Sequence, residues 1–171
     1  MPEVPKQYRP LEKSERYAAP GASRVGPANS QETLAVSIRV RRRLDAPPLP
    51  DPAATPSSKR PYLSREEFAA RYGADPKDVA RVADFARSEG LKIVETSIAR
   101  RMVVASGEVE QMNHAFAVDL GQYESPAGSY RGREGFLQIP KDLAGIVEGV
   151  FGLDNRQMAR PLVERAGGSD Q

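Results

Sequence analysis

The sequence predicts an α+β domain, an antiparallel sheet with helices packed on one face, and three observations predict it. Residues 34–41, Leu-Ala-Val-Ser-Ile-Arg-Val-Arg, alternate apolar and polar with the period of a strand that buries one side. Two segments, 75–90 and 108–117, carry apolar residues at helical spacing. Between them, 91–96 and 102–107 are short runs rich in β-branched residues, joined by a mostly polar turn.

Each element follows from its local chemistry. Residues 1–33 mix both charges with Pro2, Pro5, Pro10, Pro20 and Pro27 and hold too little apolar surface to offset ordering entropy, so a flexible arm is expected. In the first strand Leu34, Val36, Ile38 and Val40 point to the core, and Ser37, Arg39 and Arg41 point the other way. A Pro-rich loop spans 45–61. Ser64 and Glu67 then form a capping box, Leu63 and Phe68 stand at the hydrophobic-staple positions, and Gly73 is the stop of a two-turn helix. Asp75 is an N-cap with Pro76 at the first helical position; Val79, Val82, Ala83 and Ala86 make one stripe before Gly90. After the first hairpin, Val109, Met112 and Phe116 share a helical side. Residues 118–120 look strand-like, and turn chemistry at 125–129 flanked by Tyr123 and Tyr130 predicts a second hairpin. Pro140 is expected to open a short helix carrying Leu143, Ile146 and Val147. Residues 161–171, ending Gly-Gly-Ser-Asp-Gln, have linker composition. Apart from the helix at Ser64, the order is strand, helix, strand, strand, helix, strand, a ferredoxin-like split βαβ domain over 34–160.

Composition narrows the chemistry. The 171 residues include no Cys, no Trp and one His. Disulfide scaffolds, cysteine-zinc sites and thiol catalysis are thereby excluded. With 25 Lys+Arg against 23 Asp+Glu, the charge is nearly balanced, and neither nucleic acid nor an anionic membrane is expected as partner. No apolar run is long enough for a membrane span or a signal peptide core. His114 lies away from the apolar side of its helix and is expected to be a solvated surface residue. No phosphate-binding glycine loop and no Gly-x-Ser-x-Gly elbow occurs. Glu66, Glu67, Asp75, Asp78, Glu108 and Glu110 fall at helix starts, where the helix dipole accounts for them. The chain is therefore expected to be no enzyme and to hold no cofactor. The sheet face left uncovered by helices, with Ser37, Arg39, Arg41, Lys92 and Thr96, is the expected partner interface. An RNA-binding domain of this topology needs aromatics on its central strands, and residues 37–40 and 102–106 have none.

Several segments together carry a family resemblance: Val103-Val104-Ala105-Ser106-Gly107-Glu108-Val109, Asn113 through Leu120, Leu63 through Ala74, Gly128-Ser129-Tyr130-Arg131, Ile139-Pro140 and Val150 through Arg156. In order and spacing these resemble the pro-kumamolisin activation domain, the propeptide of sedolisin-type serine-carboxyl peptidases. The resemblance runs from about Leu34 to Pro161 and agrees with the ferredoxin-like reading, a fold similar to that of subtilase propeptides. It implies a monomeric folding assistant and inhibitor for a cognate, secreted, acid-acting peptidase domain. That domain, with its calcium site, lies outside this sequence. It further implies a linker held along the active-site cleft, at Arg160, Pro161, Leu162, Val163, Glu164 and Arg165, and release by autoproteolysis in acid. The trigger candidates are Asp119, Glu124, Glu134, Asp142 and Asp154. The alternative reading is a free-standing ferredoxin-like module that binds protein or RNA.

Overall fold

The computed structural model describes residues 4–156, apart from positions 6, 52, 55, 57 and 59–61. The described part of the arm, expected to be flexible, is instead joined to the domain. Strand β1 (Tyr8–Pro10) pairs antiparallel with residues 138–140, and β2 (Ser23–Pro27) pairs with residues 121–124. Between them, Leu11 N–H donates to Leu137 C=O at 2.9 Å, and Arg16 and Gly135 exchange backbone bonds at 3.0 and 2.9 Å. Leu11 and Ala28 are buried. Composition did not register this attachment because it is made mainly by the backbone, which every sequence carries.

Strand β3 (Thr33–Val40) buries Leu34, Val36, Ile38 and Val40, as its alternation requires. Helix α1 (Arg65–Tyr72) starts at the Ser64–Glu67 capping box. Its stop, Gly73, has an extended backbone (φ −72°); a Cβ there would press on Ala69 O and lie 2.8 Å from Ile98 O, so close backbone approach requires the glycine. Helix α2 (Pro76–Ser88) is capped by Asp75 and buries Val79, Val82, Ala83 and Ala86. Strands β4 (Lys92–Ser97) and β5 (Met102–Glu108) form the first hairpin, and α3 (Val109–Phe116) buries Val109, Met112, Ala115 and Phe116. Strands β6 (Gly121–Ser125) and β7 (Gly128–Gly132) form the second, β8 (Gln138–Pro140) meets β1, and β9 (Val147–Phe151) closes the main sheet.

That sheet has the order β4-β5-β3-β9, antiparallel throughout, with α2 and α3 on one side. Its fourth strand is thus β9, neither residues 118–120 nor part of a helix. Pro140 begins only a 3-10 turn over Lys141–Leu143, after which Gly145, at φ +80°, reverses the chain into β9. Helical spacing of Leu143, Ile146 and Val147 reflected three separate burials, since all three are buried from a turn and a strand. The core lies between sheet and helices, where Val36, Ile38, Val40, Val103 and Ala105 meet Val82, Ala86, Met112 and Phe116. Phe85 sets its ring edge-on to Phe116 at 6.1 Å.

The second hairpin stands apart from this layer, in a three-stranded sheet ordered β2-β6-β7. Its attachment is polar. Arg131 is buried; its guanidinium pairs with Glu32 and donates from Nε to Leu153 O at 3.0 Å, while Asn155 exchanges bonds with the Arg131 backbone at 2.6 and 3.0 Å. Gly152 allows the exit from β9 to pass tightly across β3: its φ is +106°, and a Cβ would lie 2.6 Å from Ala35 O. Arg131→Ala strands Glu32 and two carbonyls without their donor, so urea unfolding should show a loss of about 3 kcal/mol. Arg24→Ala breaks only the half-exposed pair with Asp119 and should lose under about 1 kcal/mol. Equal losses would contradict the assignment.

Candidate protein-docking face

Register decides which side chains share the uncovered face, because cross-strand partners point the same way. From β3 it takes Ala35, Ser37 and Arg39; from β5, Ser106, Val104 and Met102, their direct partners. Lys92 lies opposite Ser106, and Phe151 opposite Ser37. Three of the five residues expected here, Ser37, Arg39 and Lys92, are therefore brought together.

Thr96 and Arg41 are not. A bulge between Ile93 and Glu95 adds one residue to β4 and inverts the alternation after it: Glu95 and Ser97 face out, and Thr96 pairs with the core residue Val103. Arg41 follows the β3 register shift at Arg39/Val40 and turns to the helix layer, where its Nε donates to the buried carboxylate of Asp78 at 2.7 Å. Asp78, beyond its place at a helix start, is thereby the partner of an arginine.

The face is less polar than the sequence implied. Met102 and Val104 are only partly covered, and the Phe151 ring is 54% exposed, lying over Gly149, where a Cβ would meet it at 2.8 Å. Met102, Val104 and Phe151, with Ser37 between Val104 and Phe151 and with Lys92, Glu95 and Arg39 around them, give the face the mixed apolar and polar anatomy of a protein interface. Phe151 is not legible in the sequence because the expected short helix carries only Leu143, Ile146 and Val147, whereas β9 runs from Val147 to Phe151. At one end of the face, Arg101 holds a left-handed backbone (φ 54°) with its side chain buried, bonded to Val40 O at 3.2 Å and Glu148 at 3.0 Å. Glu148 also lies 3.6 Å from Arg39.

The five carboxylates of interest are dispersed around the second hairpin and the arm. Asp119 pairs with Arg24 at 2.8 Å, Asp142 lies 3.6 Å from Arg81, and Asp154 accepts from the Arg156 backbone N–H at 2.7 Å. Glu134 accepts from Tyr123 O–H at 3.0 Å, and Glu124 is exposed on β6. His114 is exposed, as its helix position implied, with Nδ1 2.7 Å from Glu89 at the end of α2, a partner that helical spacing did not reveal. Residues 160–165 lie outside the described residues. Among the described residues no group of His, Asp and Glu is placed to hold a metal ion, and no helix is long and apolar enough to cross a membrane.

Burial, followed by the bond to Glu134, pushes the Tyr123 hydroxyl up to about 12. Because the folded state holds this proton more tightly, the stabilisation is complete below the ordinary tyrosine value of ~10 and is lost as pH rises through about 12. Absorbance titration should find Tyr123 ionising late, and Glu134→Gln should bring it earlier. A Tyr123 titrating near pH ~10 with its neighbours exposed would contradict the geometry.

The fold is thus a helix-backed antiparallel sheet with one uncovered face that carries the partly exposed Met102, Val104 and Phe151. The chain belongs to the pro-kumamolisin activation domain family, whose model matches residues 20–156. It is 36% identical to kumamolisin of Bacillus sp. (strain MN-32), over 94% of this chain and 31% of that protein. It is 30% identical to tripeptidyl-peptidase sed5 of Aspergillus fumigatus, over 86% and 28%, and 24% identical to sedolisin of Pseudomonas sp. (strain 101), over 77% and 23%. The chain thus spans about a third or less of the length of the curated relatives it matches. The matched segment begins inside the arm, in agreement with the arm's attachment to the domain.

Proposed function

We propose that this domain is the propeptide of a secreted, acid-acting sedolisin-type peptidase, which it helps to fold and then inhibits by docking through the uncovered sheet face. The observation that carries the proposal is the pairing of an activation-domain match with an apolar-centred face that the domain itself leaves bare. Met102, Val104 and Phe151 supply the area lost to water on docking, and Arg39, Lys92 and Glu95 fix register. The exit of β9 at Leu153–Arg156 is held by Arg131, so a following linker starts from a defined point and can be laid along the active-site cleft. Residues 160–165 are the proposed inhibitory segment. Mass spectrometry of acid-activated precursor should place first cuts within residues 160–169; first cuts confined to positions before Leu153 would contradict it.

Acid release then draws on the carboxylates. The proposed acid-sensitive groups are Asp119, Glu124, Glu134, Asp142 and Asp154, of which Asp119 ties the chain before β6 to β2 through Arg24 at 2.8 Å; a carboxylate held ionised by a docked partner gives up that contribution to binding in acid. Calcium belongs, on this reading, to the peptidase domain.

The direct test is inhibition in trans of the peptidase domain from the same precursor. Val104→Asp puts a charge at the centre of the face and should weaken inhibition at least tenfold, about 1.4 kcal/mol, with the fold retained by circular dichroism. Thr96→Asp, on the other side of the same sheet, should leave it within about twofold, below ~0.5 kcal/mol. The reverse ranking would sink the assignment of the face.

A further inference from the structure

A cleft of about 500 Å³ opens between the arm and the exit of β9. Its lining includes Arg16, Arg133 and Arg156 against a single carboxylate, Asp154, with Val150 and Phe151 as its apolar wall. Arg133 is buried and spends its guanidinium on neutral oxygens, Gly135 O at 2.6 Å and Ser14 O at 2.7 Å. Its charge is left without a paired carboxylate among the described residues. Burial first, and the charge of Arg16 next, lower its proton affinity to about 10. Among the described residues the Arg16 guanidinium likewise donates to a carbonyl, Glu15 O at 3.3 Å. Arg156 lies over the Tyr130 ring at 4.8 Å and donates to Tyr17 O at 2.9 Å, while its buried Nε has no partner among the described residues. Asp154 is already taken up by Arg156, and Glu134 is turned away to Tyr123. The cleft thus gathers three guanidinium cations against one carboxylate, an excess of positive charge that an anionic oxygen entering it offsets.

We propose that this cleft receives an Asp or Glu carboxylate from the docked peptidase domain, extending the interface from the sheet face onto the arm. The inference rests on the docking reading above and deepens it. Phe151 makes the connection, since it pairs with Ser37 on the uncovered face and is also among the residues lining the cleft. A surface covering β3 and β9 therefore reaches the mouth of the cleft. The match is specific in chemistry: guanidinium groups bind carboxylates through paired, charge-assisted bonds. It also gives the arm a purpose in recognition, because Arg16 comes from the arm and Arg133 fixes the arm's Ser14 carbonyl.

The test is a binding titration of the domain against its peptidase domain at two salt concentrations, with thermal unfolding of the free domain measured in parallel. Arg16→Glu should weaken binding at least tenfold and flatten its salt dependence, Arg16→Lys should stay within threefold, and the unfolding temperature should not move. If Arg16→Glu loosens the arm, Arg16→Gln replaces it, with at least a threefold loss expected. Binding of Arg16→Glu within twofold of the parent, while Val104→Asp still fails, overturns the cleft and leaves the docking face standing. Parental binding by both variants removes the docking reading itself. Strong stabilisation of the free domain by micromolar inorganic phosphate, lost in Arg16→Glu, would assign the cleft to a free anion and also overturn the proposal.

Discussion

Arg131 reaches from β7 to three distant parts of the chain: Glu32 at the end of the arm, the carbonyls of Gly152 and Leu153 at the exit of β9, and Asn155 beyond it. The main sheet needs no such tie, because its apolar strands and helices cover one another. The second hairpin does, since two short strands are marginal on their own in water. Stacking of Tyr123 on Tyr130 at 5.2 Å stiffens the hairpin, and Tyr130 O–H accepts from Ala19 N at 2.9 Å. Arm, hairpin and exit therefore depend on each other, and buried polar contacts of this kind are costly if any member is lost.

This arrangement divides the molecule into a rigid sheet that presents a bare face and a polar assembly that fixes where the chain leaves it. The apolar side chains packed between sheet and helices carry no titrating group. Ion pairs occur in both parts: Arg41–Asp78 and Arg101–Glu148 brace the sheet, while Arg24–Asp119, Arg131–Glu32 and Arg156–Asp154 brace the hairpin and exit.

Much of the fold was legible because burial imposes periodicity. The alternation from Leu34 to Val40 and the stripes on α2 and α3 all mark surfaces that face the core. Capping residues were equally plain, Ser64 with Glu67 and Asp75 with Pro76, since they act on their own neighbours. What was hidden depends on partners distant in sequence. The arm is held by backbone pairing and by Arg131 and Arg133, none of which leaves a periodic trace. Strand β9 was obscured because Leu143, Ile146 and Val147 mimic helical spacing across a turn. Within the docking face, one inserted residue in β4 moved Thr96 to the other side, and a salt bridge to Asp78 withdrew Arg41. A single-residue shift reverses every side chain after it, so an edge strand is where face assignments from sequence are weakest.

The central claim is that the uncovered sheet face is the surface that meets a peptidase domain. Nuclear magnetic resonance of the labelled domain, titrated with that peptidase domain at neutral pH, tests it most directly. The account predicts that the largest shifts fall on Ala35, Ser37, Met102, Val104 and Phe151, with the exposed side of α2, at Asp84 and Arg87, unchanged. Shifts concentrated on α1 and α2, with the methyl signals of Val104 and Met102 unmoved, would contradict it.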